Sequence, residues 1–339
     1  MGSREGFSET QPRLPGQDHG VDMRMLPNHS AFLRTAAVGA LTFAVSAVAL
    51  TGCSNPSVNT AGNTAAPSAA IPTALKDEAL AALVPEKLRN AGTVRVATNA
   101  PFAPYQMFAG PGSQELIGLE IDLGHAIGET LGVPFDFSQQ PYDGLIPGLQ
   151  AGKYDVLMAT LFDTAEREKQ LDFVNYARSG SGILVKKTNS DIKTLDDLCG
   201  KGVAVQNGSL QADLVSSQSG KCTSAGKAAI EIKALPAFSD EQLALNSGSI
   251  TSIVGDLPAL AYAATQDSTV QVINDPSAPG GYESSLIGIG IPKTEKQFSD
   301  AVEKAVQKLM DNGTYRAILD KYGVGQTALD KATTNQHGG

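Results

Sequence analysis

The stretch YDGLIPGLQAGKYDVLMATLFDTAERE (Tyr142–Glu168) decides the fold. Within it, DVLMAT (155–160) reads as a strand. Asp163 and Glu166 follow at capping-box spacing and predict a short helix directly after it. Working outward, the same alternation recurs from Thr93 onward. TVRVAT (93–98), GILVKK (182–187), GVAVQ (202–206), TSIVG (251–255) and LIGIGI (286–291) are further strand candidates, with helical patterns between them. Leu119, Leu123, Ile127 and Leu131 make one apolar helical stripe. Phe298, Val302, Ala305 and Leu309 make another, closed by Asn312-Gly313 as a C-cap signal. Short strands alternating with helices argue for an α/β fold with largely parallel sheets. There is no internal repeat of short period, no GxGxxG after a strand and no GxxxxGK[ST], so a nucleotide-binding role has no landmark.

The chain begins differently. Ala36 to Leu50 carries no charge and follows Arg24 and Arg34. A run of roughly 15 apolar residues falls short of the 20 or so that span a bilayer, and has the size and flanks of a secretory h-region. It closes with Leu50-Thr51-Gly52-Cys53, which resembles the lipobox of bacterial lipoproteins. That resemblance implies a signal peptide over 1–52, cleavage before Cys53 and lipidation of that cysteine, giving a membrane anchor of two or more acyl chains. Residues 1–22 are long and mixed in charge for the start of a signal, which makes Met23 or Met25 a candidate start. After Cys53 come Ser, Asn, Thr, Ala, Pro and Gly, too polar to offset the entropy of ordering, so 53–87 is expected to be a flexible tether.

A formal net charge of −9 disfavours a nucleic-acid or anionic-membrane surface. Besides Cys53 the chain has Cys199 and Cys222. In an exported protein such an even pair is expected to form a disulfide, the alternative being two buried thiols. Neither cysteine belongs to a CxxC, and His125 is the one histidine outside the leader and the C-terminal tail, so no metal or cofactor is expected.

Four blocks in order, GTVRVATNAPFAPYQM, IGLEIDLGHAIGETLG, the opening stretch, and LCGKGVAVQNGS, followed by DNGTYRAILDKYG, resemble the family 3 extracellular solute-binding proteins. These are the amino-acid-capturing components of ABC importers. The resemblance runs from about residue 88 to 323. It implies two α/β lobes joined by two hinge strands, the periplasmic-binding fold of type II, with the ligand in the cleft between them. Lobe one would comprise 88–181 plus 284–326 and lobe two 182–283, with 327–339 a disordered tail. The implied partners are a small amino acid and a membrane permease, and the implied state is a monomer.

The same resemblance implies a site. Arg167 occupies the position of the arginine that clamps the ligand α-carboxylate, and a planar guanidinium suits a bidentate carboxylate. Asp256 stands where the family has the acid that receives the α-ammonium. It would also serve as an N-cap. In QNGS (206–209) and beyond, Gly208, Ser209 and Leu210 would offer backbone N–H groups at a helix start. Phe102 and Tyr142 match the aromatic walls around the ligand side chain, while Tyr105 is assigned to the core. Ala159 and Thr160 would meet the ammonium. Two departures bear on specificity. Phe162 replaces the usual Ser or Thr, losing a polar contact and adding bulk. Asn99 replaces the aspartate of members with cationic ligands, and a neutral amide leaves a cationic head group unpaired. A neutral ligand follows, and Asn99 could serve an amide such as that of glutamine. The function expected is capture for transport without catalysis. The competitors are an enzyme on the same scaffold, which lacks a Ser-His or Cys-His arrangement and a G-x-S-x-G here, and a ligand-sensing lipoprotein.

Overall fold

The computed structural model describes residues 71–337. The expected signal segment, the lipidation candidate Cys53 and the tether as far as residue 70 lie outside the described residues. The remainder of the expected tether is structured, which corrects that expectation. It forms α1 (Glu78–Ala81) and α2 (Glu86–Ala91). Ala74, Val84 and Leu88 are buried against the core of the first lobe. Asp77 caps α1 by accepting from the Ala79 and Leu80 N–H groups, and it pairs with Lys308. The reason is apolar surface: Leu80, Leu83, Val84 and Leu88 pack in or against that core, Leu83 and Val84 from the turn between the two helices, and the Ser/Thr/Pro-rich part before them offers little of the kind.

The first lobe is built from β1 (Val94–Thr98), the ribbon β2 (Met107–Phe108) and β3 (Leu116–Ile117), α3 (Leu119–Leu131), β4 (Phe135–Gln139), α4 (Leu145–Gln150), β5 (Val156–Phe162) and the one-turn α5 (Ala165–Glu168). The long β6 (Leu171–Lys186) then leads out of it. The second lobe holds β7 (Gly202–Gln206), α6 (Leu210–Ser224), β8 (Glu231–Leu235), α7 (Phe238–Ser247), β9 (Ser252–Asp256), α8 (Leu257–Gln266) and β10 (Val270–Val272). β11 (Tyr282–Pro292) returns, and α9 (Lys296–Asp311), α10 (Thr314–Lys321) and β12 (Ala328–Thr334) complete the first lobe.

The strands run β4-β1-β5-β11-β6-β9-β7-β8, with β10 and β12 also paired to β6. β4, β1 and β5 are parallel, as are β9, β7 and β8. Between the two trios lie β11 and β6, antiparallel to each other and to their outer neighbours. This is the mixed α/β type II periplasmic-binding architecture. Parallel strands covered on both faces need unbroken apolar runs, and every residue of β5 is buried. The strand expected at 182–187 is the far half of β6, whose near half pairs with β11 and whose far half pairs with β9 and β10. Gly180 lies between the halves, where a Cβ would collide with the backbone of Gly280 and Gly281. The segment leading into β11 can lie this close to β6 only because glycine lacks that atom.

Both expected helical stripes face the first core: Leu119, Leu123, Ile127 and Leu131, and Phe298, Val302, Ala305 and Leu309. Asn312 ends α9 and Gly313 follows at φ 81°. The second lobe has two smaller cores, one of which includes Cys222. Cys199 and Cys222 form the expected disulfide, with a Cα–Cα distance of 5.6 Å. The C-terminal segment corrects another expectation. Residues 328–334 are not a disordered tail but β12, antiparallel to β6 and packed on α9 through the buried Ala332. Its ladder bonds are joined by those of the Leu329 N–H to the Tyr315 hydroxyl and the Ala332 N–H to Gln307. Polar composition alone concealed a strand whose stability comes from pairing.

Candidate functional site

The site lies where the ends of β1, β5 and α5 in one lobe meet the starts of α6, α7 and α8 in the other. Thr164, not Asp163, caps α5: its hydroxyl accepts the Arg167 N–H at 3.3 Å. Asp163 is instead buried and accepts from the Asn175 amide. The turn leaves the half-buried Arg167 side chain facing lobe two. Its guanidinium donates to the Phe162 carbonyl at 2.9 Å and, across the lobes, to the Gly208 carbonyl at 3.0 Å. Of five N–H donors three remain, and no carboxylate of the described residues forms an ion pair with it.

Asp256 ends β9 and caps α8, accepting the Ala259 N–H at 3.2 Å. It is 2 % exposed, and its second oxygen, Oδ2, accepts no hydrogen bond among the described residues. Burial pushes its carboxyl up to about 6, against the opposing pull of the Ser179 hydroxyl, the Ala259 N–H and the Tyr105 hydroxyl. Those two hydroxyls come close without completing a hydrogen bond of normal geometry. Tyr105 is fully buried and stacks on Phe102 with ring centres 6.2 Å apart. Its expected core role holds for the ring alone, because its hydroxyl stands beside Asp256.

A second buried acid lies behind β5. Glu120, in the first turn of α3, accepts from the Thr160 N–H at 2.8 Å and from Tyr176 and Gln106. Burial raises its carboxyl to about 7, the Tyr176 and Thr160 donors lower it, and the charge of Asp256 adds to the rise. Thr160 sits at φ 52°, a left-handed conformation that a β-branched residue adopts only when its surroundings impose it. Its hydroxyl accepts from Gln106 at 3.2 Å. Neighbouring Ala159 is buried on the same strand, in the smaller core of the first lobe.

The remaining residues divide. Phe102 bridges the lobes, meeting Phe238 edge-on at 5.5 Å. Tyr142 packs in the smaller core with Leu145 and Leu149, mostly buried. The Phe162 ring packs in the larger core, so the expected bulk in the cleft is corrected: it is the carbonyl of this residue that meets Arg167. The N–H of Ser209 is likewise not free for an anion, because it closes the turn onto the Gln206 carbonyl at 3.2 Å, while its hydroxyl caps α6 through Ala212. Gly208 takes φ 73° and offers its carbonyl to Arg167. Leu210 reaches across to the core of the first lobe. Asn99 donates to the Gln140 carbonyl and accepts from the Gln206 amide, both at 2.8 Å.

Gln206, Glu120, Gln106 and Ser179 are parts of this site that sequence reasoning missed. Gln206 opens the QNGS motif and was within reach of it. Glu120 carried a weaker signal, a carboxylate directly beside the apolar stripe at Leu119. Among the described residues no group of three or more His, Cys, Asp or Glu is placed to hold a metal ion, and no helix is long and apolar enough to cross a membrane.

The model of the bacterial extracellular solute-binding proteins, family 3, matches residues 94–325. The arginine-binding protein ArgT of Corynebacterium glutamicum is 28 % identical over 257 residues, 75 % of this chain and 82 % of the relative. The histidine-binding periplasmic protein of Salmonella typhimurium is 28 % identical over 254 residues, 71 % of this chain and 89 % of the relative. Among solved structures, an ancestral arginine-binding protein bound to glutamine superposes with a TM-score of 0.61 and 32 % identity, covering 69 % of this chain and 98 % of that one.

Proposed function

The chain belongs to the bacterial extracellular solute-binding proteins, family 3, and from that membership we propose that it captures a free amino acid between its lobes and passes it to an ABC-type membrane permease. The observation that carries this reading is a pair of unmet charges on opposite lobes. Asp256 is a buried carboxylate with an oxygen that completes no hydrogen bond among the described residues. Arg167 keeps free donors and has no carboxylate among the described residues. A zwitterion supplies the missing partner to each: its carboxylate meets the guanidinium fork, its ammonium meets Asp256 and the Thr160 edge. Phe102 and Tyr142 flank its side chain. The domain acts as a monomer, held to the extracytoplasmic face of the membrane by lipid on Cys53, and it releases the ligand chemically unchanged.

The side-chain end of the pocket favours a neutral, polar ligand. Asn99 and Gln206 are both amides and are already joined to each other. Neither brings the carboxylate that a desolvated guanidinium or ammonium head requires, while each can exchange hydrogen bonds with a carboxamide or hydroxyl. The relatives named for arginine and histidine make cationic amino acids the comparison of interest, and the ancestral relative bound to glutamine supports a neutral occupant on this scaffold. The test is a titration calorimetry series on the purified domain with L-glutamine, L-asparagine, L-serine, L-arginine, L-lysine and L-histidine. Micromolar binding of a neutral member, about −8.2 kcal/mol, with weaker binding of the cations supports the reading. Tighter binding of arginine or lysine refutes the neutral assignment, and no binding of any amino acid refutes capture.

A further inference from the structure

We propose that the extreme C-terminal segment, residues 335–337, is a clamp that positions the Arg167 turn for ligand, by supplying hydrogen-bond donors to three buried carboxylates that bracket that turn. Asp163 precedes α5, Glu168 is its last residue, and Asp172 lies four positions on. All three are buried, at 0 %, 0 % and 4 % exposure. Buried carboxylates are stable only where donors surround them. Consecutive residues of the tail provide these: the Asn335 amide donates to Asp172 at 2.8 Å, the Gln336 N–H to Asp163 at 3.3 Å, and the His337 N–H to Glu168 at 2.8 Å.

The tail is shaped for the task. Asn335 takes φ 46°, the left-handed conformation that asparagine tolerates better than other residues with a side chain. That kink ends β12 and turns the following N–H groups toward the acids. Asn335 also pairs in both directions with Phe173: its N–H donates to the Phe173 carbonyl at 3.1 Å and its Oδ1 accepts the Phe173 N–H at 2.8 Å. Other groups meet these acids as well. The Asn175 amide donates to Asp163 at 2.8 Å, and Lys293 reaches the Glu168 carbonyl and pairs with Asp172 at 3.4 Å. Burial raises Asp163 to about 6, and the neighbouring Glu168 adds to the rise while the Asn175 amide opposes it. Arg167 lies between these two acids in sequence, on a helix of four residues that has little stiffness of its own. Its guanidinium is therefore placed by what holds the two ends of its turn. Asn335, Gln336 and His337 are positioning residues, since none of them touches the cleft.

The proposal rests on Arg167 being the carboxylate partner of the ligand, so its test has one readout that needs no ligand. The intact chain is compared with a form lacking residues 335–339, by amide hydrogen exchange over 163–168 and by the Kd for L-glutamine. Expected are faster exchange in 163–168 with unchanged exchange in the second lobe, and a Kd raised about tenfold, the equivalent of one charge-assisted hydrogen bond. Introducing Asp163→Asn into the shortened chain should restore part of the protection, because a neutral amide tolerates the loss of a donor better than a carboxylate does. A tail that only adds packing gives no such rescue, and that result overturns the proposal. So does unchanged exchange over 163–168. If the shortened chain does not fold, Asn335→Ala in the intact chain makes the same comparison, with the same two results expected or refuting. If the intact chain binds no amino acid, the capture reading fails, and the exchange data decide the clamp by themselves.

Discussion

Asp256→Asn should make the protein more stable and a poorer receptor. The carboxyl of Asp256 is pushed from the ordinary 3.8 up to about 6, chiefly by burial. Below 3.8 the group is protonated whether the chain is folded or not, and stability is unaffected by ionisation. As pH rises the unfolded chain loses this proton first, while the folded protein keeps it until about 6. Folding stability therefore falls across that window, and above it the deficit is complete. At 1.36 kcal/mol per pH unit the interval amounts to about 3 kcal/mol. An asparagine avoids this cost, retains an oxygen for the Ala259 N–H, and turns an NH2 toward the Ser179 and Tyr105 hydroxyls, both of which can accept. With roughly 2–4 °C per kcal/mol for a domain of this size, the variant should melt several degrees higher at pH 8 and at nearly the same temperature at pH 3.5. Its affinity should move the other way. Losing a charge-assisted bond to an ammonium costs about 1.5–3 kcal/mol, roughly 10- to 100-fold in Kd. Calorimetric melting at both pH values and titration with the best amino acid from the series above measure the two effects. A lower melting temperature at pH 8, or an unchanged Kd, would refute the reasoning.

Arg167→Lys should fold normally yet bind at least tenfold more weakly, because an ammonium cannot replace the planar fork. Arg167→Ala should lose several kcal/mol of affinity, and calorimetry separates the two. Asn99→Asp should shift preference toward arginine and lysine over glutamine, read as a ratio of Kd values; a ratio that does not move would remove Asn99 from specificity. Binding near pH 6 should release about half a proton, since Asp256 is half protonated there and an ammonium beside it drives its ionisation from about 6 downward. Heats measured in buffers of different ionisation enthalpy count that proton, and heats independent of buffer contradict the assignment. Reducing the Cys199–Cys222 bond, which spans 23 residues, should destabilise the protein by about 3 kcal/mol, visible as a lower denaturant midpoint in the presence of dithiothreitol.

Much of the fold was legible because its signals are local. GVAVQ coincides with β7, residue for residue, since a strand buried between two neighbours carries an apolar run, here Val203 to Val205. The α3 and α9 stripes are legible for the same reason, one step of periodicity being enough to mark a buried face. What stayed hidden depends on distant partners. The near half of β6, LDFVNYAR, mixes Asp, Asn and Arg with aromatics, and is a strand because β11 and β12 flank it. Asp163 and Thr164 are adjacent possible caps, and the choice fell to Thr164 because the Asp163 carboxylate is held by Asn175 and Gln336. In the site, Arg167 and Asp256 were visible as residues of the right chemistry in the right order. Gln206, Tyr105 and Glu120 were not, because their roles arise from which groups burial leaves facing one another.

The contacts that join the lobes also show how a ligand can act on them. Arg167 with the Gly208 carbonyl, Asn99 with Gln206, and Phe102 with Phe238 all reach across, and each belongs to the protein alone. They favour the arrangement in which the lobes meet, and in it Asp256 is buried and Arg167 has no carboxylate partner among the described residues. On the capture reading, this opposes closure of the empty protein at neutral pH. A molecule carrying both missing charges relieves that opposition only when both lobes touch it, and it gains nothing comparable from either lobe by itself. Since a ligand shifts a conformational equilibrium only by its difference in affinity for the two states, on the proposed reading the unmet charges at Arg167 and Asp256 convert binding into closure. Neutralising Asp256 should accordingly weaken the ligand and, in the same molecule, narrow the difference in small-angle scattering between free and ligand-saturated protein.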